Sequence, residues 1–107
     1  MLRAIAFHES SMKTWEIRRN TNGSYDIGLM QINTVHLAEL AKHGIGPAHL
    51  QDGCVSAFVG AWMYRKKIER HGNTWKAVGA YHSETPEKRD AYARRIHKIV
   101  QGWLATP

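Results

Sequence analysis

The sequence predicts a mostly α domain with one small β-hairpin or loop element, and three observations carry that prediction. Apolar residues recur at helical spacing in five separate segments, no run alternates apolar and polar residues as a strand would, and a single stretch loses periodicity where turn formers gather. At 107 residues, 43% of them hydrophobic, the chain has room for one domain, 1–107, and enough apolar material for a core. There are no internal repeats, low-complexity tracts or Pro/Ser-rich linkers to divide it.

The first segment, Leu2 to Ser10, sets Leu2, Ile5, Ala6 and Glu9 on one side, but no capping residue precedes it. It reads as the end of a helix whose beginning is missing. From Lys13 to Asp26 the periodicity disappears, and Asn20-Thr21-Asn22-Gly23-Ser24 suits a hairpin whose tight turn, at Asn22-Gly23, needs positive φ. Asn33 or Thr34 can cap a helix through about Lys42 that carries Val35, Leu37, Leu40 and Ala41 inward, with Gly44 to Pro47 ending it and a loop following.

Cys54 to Arg70 bears two apolar stripes, Val55-Phe58-Val59-Trp62-Met63 and Cys54-Ala57-Ala61-Tyr64-Ile68, the pattern of a central buried helix. Arg65, Lys66, Lys67 and Arg70 then place positive charge at its negative end, before Gly72. Thr74 caps a short helix from Trp75 to Tyr81. Thr85-Pro86 opens the last one, with Tyr92, Ile96, Ile99 and Trp103 on its inner stripe.

These features exclude several classes of function. The longest apolar run, Cys54 to Tyr64, is too short to span a bilayer and is interrupted by Ser56 and Gly60. Met1 to Phe7 runs straight into His8-Glu9, so no export signal is visible. One cysteine, Cys54, forms no internal disulfide and no multi-Cys zinc site, which fits a reducing compartment or a lost N-terminal segment. The seven histidines include no His-Glu-x-x-His set, so no metal and no cofactor is expected. A net charge of +6 implies acidic partners: nucleic acid, anionic membrane or an acidic wall polymer. Lys88, Arg89, Arg94, Arg95 and Lys98 would suit a phosphate-tracking face or a merely solvated one. Without a helix-turn-helix pattern, nucleic acid is the weaker expectation.

Most of the nine acidic residues, among them Glu16, Glu39, Glu69, Glu84, Glu87 and Asp90, sit beside basic residues or on polar helix faces and read as solvated surface charge. Glu9 differs. It continues an apolar stripe at the end of its helix, where partial burial would favour its protonated form, as a general acid requires. It equally suits an edge carboxylate capped by Ser10 or paired with an arginine. Ser24 to Asn33 places a glycine, an amide and two apolar residues in an irregular approach to a helix, fit for a sugar cleft or for a buried Leu-Met pair. Ala77 to Ser83 offers Tyr81 either to a cleft or to the core.

These three segments, in this order, resemble the lytic transglycosylase (SLT) domain of the lysozyme-like superfamily, closest to the small specialised members that accompany bacterial secretion, conjugation and pilus assembly. Ile5-Ala6-Phe7-His8-Glu9-Ser10 matches the helix ending in the catalytic Glu-Ser pair. Asn20 to Asn33 matches the Gly-Leu-Met-Gln element, and Ala77 to Ser83 the Ala-Tyr-Asn element, with His82 where the family usually has Asn. Together the matches cover most of the chain.

The resemblance implies a lysozyme-like α fold, Glu9 as catalytic acid and base, and Ser10 supporting it or the substrate. Gly28, Leu29, Met30 and Gln31 would line a glycan cleft, with Tyr81 near Glu9 and His82 beside it. It implies peptidoglycan glycan strands as substrate, components of a secretion, conjugation or pilus apparatus as partners, and a periplasmic location. It also implies a further helix before the Glu-bearing one, often with a Cys that pairs with the position of Cys54. A hydrolytic lysozyme using Glu9 and Asp26, a non-catalytic glycan-binding module and a basic helical DNA-binding module are the alternatives.

Overall fold

The computed structural model describes residues 1–105. The chain folds as two compact units, Leu2–Gly60 and Ala61–Pro107 with Met1. The N-terminal unit opens with α1 (Leu2–Ser10), whose Ala4, Ile5, Ala6 and Ser10 are buried. A three-stranded antiparallel sheet follows, in the order β1 (Ile17–Arg19), β2 (Tyr25–Ile27), β3 (Ile32–Asn33). Ile17 pairs with Ile27, Arg19 with Tyr25, and Asp26 with Asn33.

The β1–β2 connection is longer than a two-residue turn. Asn20 N–H donates to the Ser24 carbonyl (2.8 Å) and Gly23 N–H to the Asn20 carbonyl (3.0 Å), and only Gly23, at φ +86°, takes the left-handed conformation. This is a three-residue loop with glycine at its left-handed position. The third strand, two residues long, is too short for an alternating pattern, so no sequence signal announced it.

The helix expected from Asn33 to Lys42 is instead a 3-10 turn over Thr34–His36 followed by α2 (Leu37–Ala41). Asn33 caps it as expected, its side-chain oxygen accepting from Val35 N–H (2.9 Å), but that tight turn sends Val35 to solvent, 74% exposed. Leu40 is buried; Ala41 is exposed. A second 3-10 turn, Pro47–Gln51, occupies the expected loop and buries Leu50.

Helix α3 (Gly53–His71) begins in this unit and continues into the next. Its buried line runs through Ser56, Val59, Gly60 and Tyr64 rather than along either expected stripe, leaving Cys54 exposed and Phe58 74% exposed. The inward face is rotated so that a serine and a glycine lie at its centre.

In the C-terminal unit Thr74 caps α4 (Trp75–His82), its hydroxyl accepting from Ala77 N–H. Helix α5 (Pro86–Ala105) buries Tyr92, Ala93 and Ile96, while Trp103, expected on the inner stripe, is 40% exposed. The two helices approach closely at Gly79, where a Cβ would run into the Arg89 carbonyl. Glu84, between them, is no freely solvated carboxylate. Lys67 Nζ reaches it at 2.8 Å, His71 Nε2 at 2.7 Å and Arg70 at 3.5 Å, joining the α4–α5 link to the last turns of α3. The Lys67 hydrogen bond above all, with the His71 hydrogen bond and the charges of Lys67 and Arg70, holds its carboxyl down at about 2.

Candidate active site

Glu9 lies half-buried in the last turn of α1, and the chain reverses immediately after it. Ser11 and Met12 both take positive φ (53° and 66°), Ser11 N–H donating to the Phe7 carbonyl (2.9 Å) and Lys13 N–H to that of Ser10 (3.0 Å). Each left-handed non-glycine residue costs roughly 1 kcal/mol, and such strain gathers where a site needs a fixed geometry. Ser10 beside Glu9 is fully buried. Its hydroxyl lies 2.8 Å from the Leu29 carbonyl and 3.1 Å from that of Ala6, so its one proton joins α1 to the turn at residues 28–31.

That turn is tightly specified. Gly28 sits at φ +80°, and a Cβ there would run into the Leu50 carbonyl, so glycine is required twice over. Its N–H donates to the Glu16 carbonyl (2.7 Å), and Gln31 N–H returns to the Gly28 carbonyl (3.1 Å). Met30 N–H donates to Ser56 Oγ (3.0 Å), and the Met30 side chain, 1% exposed, fills the space left by Gly60. Leu29 stays half-buried.

Gln31 is held at φ +52° with its Nε2 donating to the carbonyls of Gly28 (2.9 Å) and Glu16 (3.2 Å). Both amide hydrogens are therefore spent on backbone, which fixes the amide orientation, since the reverse would set oxygen against oxygen. Oε1 is buried and meets no hydrogen-bond donor among the described residues, an arrangement costing about 1–3 kcal/mol. Gln31 therefore has no amide hydrogen left to offer as a donor.

Ser10, next to Glu9 in sequence, is thus joined to the 28–31 turn within the N-terminal unit through its side-chain hydroxyl. Asp26 on β2 is engaged in the sheet, its Oδ1 accepting from Asn33 Nδ2 (3.0 Å). Tyr81 and His82 belong to α4 of the other unit. Tyr81 is half-buried there, and His82 is exposed, its ring stacked on that of the buried Tyr92 at 5.0 Å and 8°. Sequence reasoning missed Ser56, which pins Met30, although a serine interrupting an apolar helical run is the signal that could have found it. Among the described residues no group of His, Cys, Asp and Glu could hold a metal ion, and no helix is long and apolar enough to cross a membrane.

Comparison with known proteins bears on this geometry. The family model described as "Transglycosylase SLT domain" matches residues 1–100. Invasion protein IagB of Salmonella typhimurium is 44% identical over 94% of this chain and 63% of its own length. The X polypeptide of Escherichia coli is 37% identical over 95% of this chain and 64% of its own length. Protein IpgF of Shigella sonnei is 36% identical over 97% of this chain and 70% of its own length. The chain thus spans just under two thirds of the length of the first two.

Proposed function

Because this chain belongs to the transglycosylase SLT domain family, we propose that it is a peptidoglycan lytic transglycosylase in which Glu9 is the catalytic acid and base. It cleaves the β-1,4 bond between N-acetylmuramic acid and N-acetylglucosamine without consuming water. Glu9 gives its proton to the glycosidic oxygen, breaking the bond to the muramoyl anomeric carbon. As carboxylate it then takes the proton of the muramoyl 6-hydroxyl, whose oxygen attacks that carbon and closes a 1,6-anhydro ring. Glu9 ends as it began, protonated.

One observation carries this reading above the rest: the Ser10 hydroxyl couples the helix that bears Glu9 to the 28–31 turn at 2.8 Å, so acid and proposed glycan wall are held as one piece. Gly28, Leu29, Met30 and Gln31 form that wall. Asp26 is already bonded within the sheet, which favours one carboxylate and a nucleophile from the substrate over the paired carboxylates of ordinary hydrolysis. The wall opening serves a secretion or conjugation apparatus in the periplasm, a role supported by a relative named as an invasion protein.

Incubation of purified murein sacculi with the wild-type chain and with Glu9→Gln tests the assignment. The variant keeps the shape of the site without its acid, so it should still bind sacculi while solubilising them at least about a hundredfold more slowly. Undiminished turnover in Glu9→Gln would refute it.

A further inference from the structure

Charge is unevenly placed along the chain. From Ala61 onward ten Lys and Arg stand against four Asp and Glu, whereas Leu2–Gly60 carries five of each, so the whole net charge of +6 belongs to the C-terminal unit. On that unit Trp75, the first residue of α4, is 40% exposed. Its ring meets the His97 imidazole of α5 edge-on at 4.7 Å, and with Ala93 and Arg94 the two enclose an open cleft of about 230 Å³. Arg94, His97 and Leu104 lie on one stripe of α5 at helical spacing, Leu104 being 81% exposed and about 15 Å along from Arg94. Lys98 flanks the stripe beside Arg94, both exposed, and Lys76 follows Trp75. Of the two acidic residues on that face, Glu87 stands seven residues before Arg94 and Asp90 is tied to Arg89 Nε at 2.9 Å.

We propose that the Trp75 cleft and the adjoining stripe of α5 form a docking surface for an acidic, amphipathic protein segment, separate from the Glu9 chemistry. One apolar side chain of the partner fills the cleft against Trp75, a second covers Leu104, and its carboxylates meet Arg94 and Lys98. The cleft lining selects this occupant. It holds no side-chain amide or carboxylate to meet the hydroxyls of a sugar. A nucleic acid would satisfy the cations but supplies no aliphatic side chain for the cleft or for Leu104. A second copy of the chain would bring its own +6 against the same charge. An exposed Trp beside an Arg is, conversely, the usual composition of a protein-binding hot spot.

The test is a titration of the full ¹⁵N-labelled chain with a synthetic helical peptide of glutamates bearing leucines at alternating three- and four-residue spacing. The peptide should shift the Trp75 indole N–H and the Arg94 and His97 amides, saturating below about 1 mM. Arg94→Glu, at an exposed helical position, should weaken binding at least about tenfold while leaving the rest of the amide spectrum in place. Polyglutamate without leucines should bind at least about tenfold more weakly than the peptide, because the cleft stays empty. No saturable binding, shifts centred away from Trp75, or a stronger Trp75 response to single-stranded DNA or to a chitin oligosaccharide would overturn the proposal.

Discussion

Ser10 shows how one buried hydroxyl can fix a site. Its proton is shared between two backbone carbonyls on different elements, so Ser10→Ala leaves the Leu29 carbonyl short of a donor in a dry setting. We expect a loss of about 1–3 kcal/mol by denaturant unfolding, with turnover falling although Glu9 is untouched. Asp26→Asn removes a charge whose bonded partner is Asn33, and murein solubilisation by this variant should stay within a few-fold of wild type. Loss of activity there would favour a two-carboxylate hydrolase. At this scale the neighbouring residues marked Glu9 at the end of an apolar stripe and an irregular stretch around residues 28–31, and left open what either does. Ser56 and Leu50 were not legible, since they meet the turn from more than twenty positions away in sequence. Nor was the direction of the Gln31 amide, which the Glu16 and Gly28 carbonyls decide.

Helix ends were read more accurately than helix faces. Thr74 and Pro86 stand where the caps placed them, because capping is a contact between near neighbours. Val35 and Phe58 face solvent because periodicity gives a stripe without fixing its rotation, and only packing turns it. Where two elements touch, glycine records the contact. Gly79→Ala pushes a methyl into the Arg89 backbone, which neither helix can relieve by a rotamer change. It should lower stability by about 1–3 kcal/mol, measured as a fall in denaturation midpoint.

The Glu84 clamp makes a pH prediction. Its carboxyl ionises at about 2 in the folded chain, against an ordinary 4.5, so its stabilisation is complete above about pH 4.5 and is lost as pH falls through about 2. Exposure of about a third of its side chain screens the effect to on the order of 1 kcal/mol. Glu84→Gln should therefore be less stable than wild type at pH 6, and the difference should shrink steadily as pH falls from about 4.5 toward 2. A difference that stays constant over that range would deny the clamp this role.

For the whole molecule, periodicity supplied the fold class and composition the sign of the charge, but the concentration of that charge after Ala61 follows from the order of residues and becomes informative only once the units are known. The neutral unit holds Glu9 and the 28–31 turn, and the basic unit holds Tyr81 and His82. Transglycosylase and hydrolase differ in what attacks the muramoyl carbon, and mass spectrometry of muropeptides released from sacculi reads that directly. With a single acid at Glu9 and Asp26 engaged in the sheet, the fragments should carry 1,6-anhydro ends, each one water lighter than a lysozyme product, and Glu9→Gln should release none. Predominantly reducing-end fragments, formed by the wild-type chain and lost in Asp26→Asn, would contradict it.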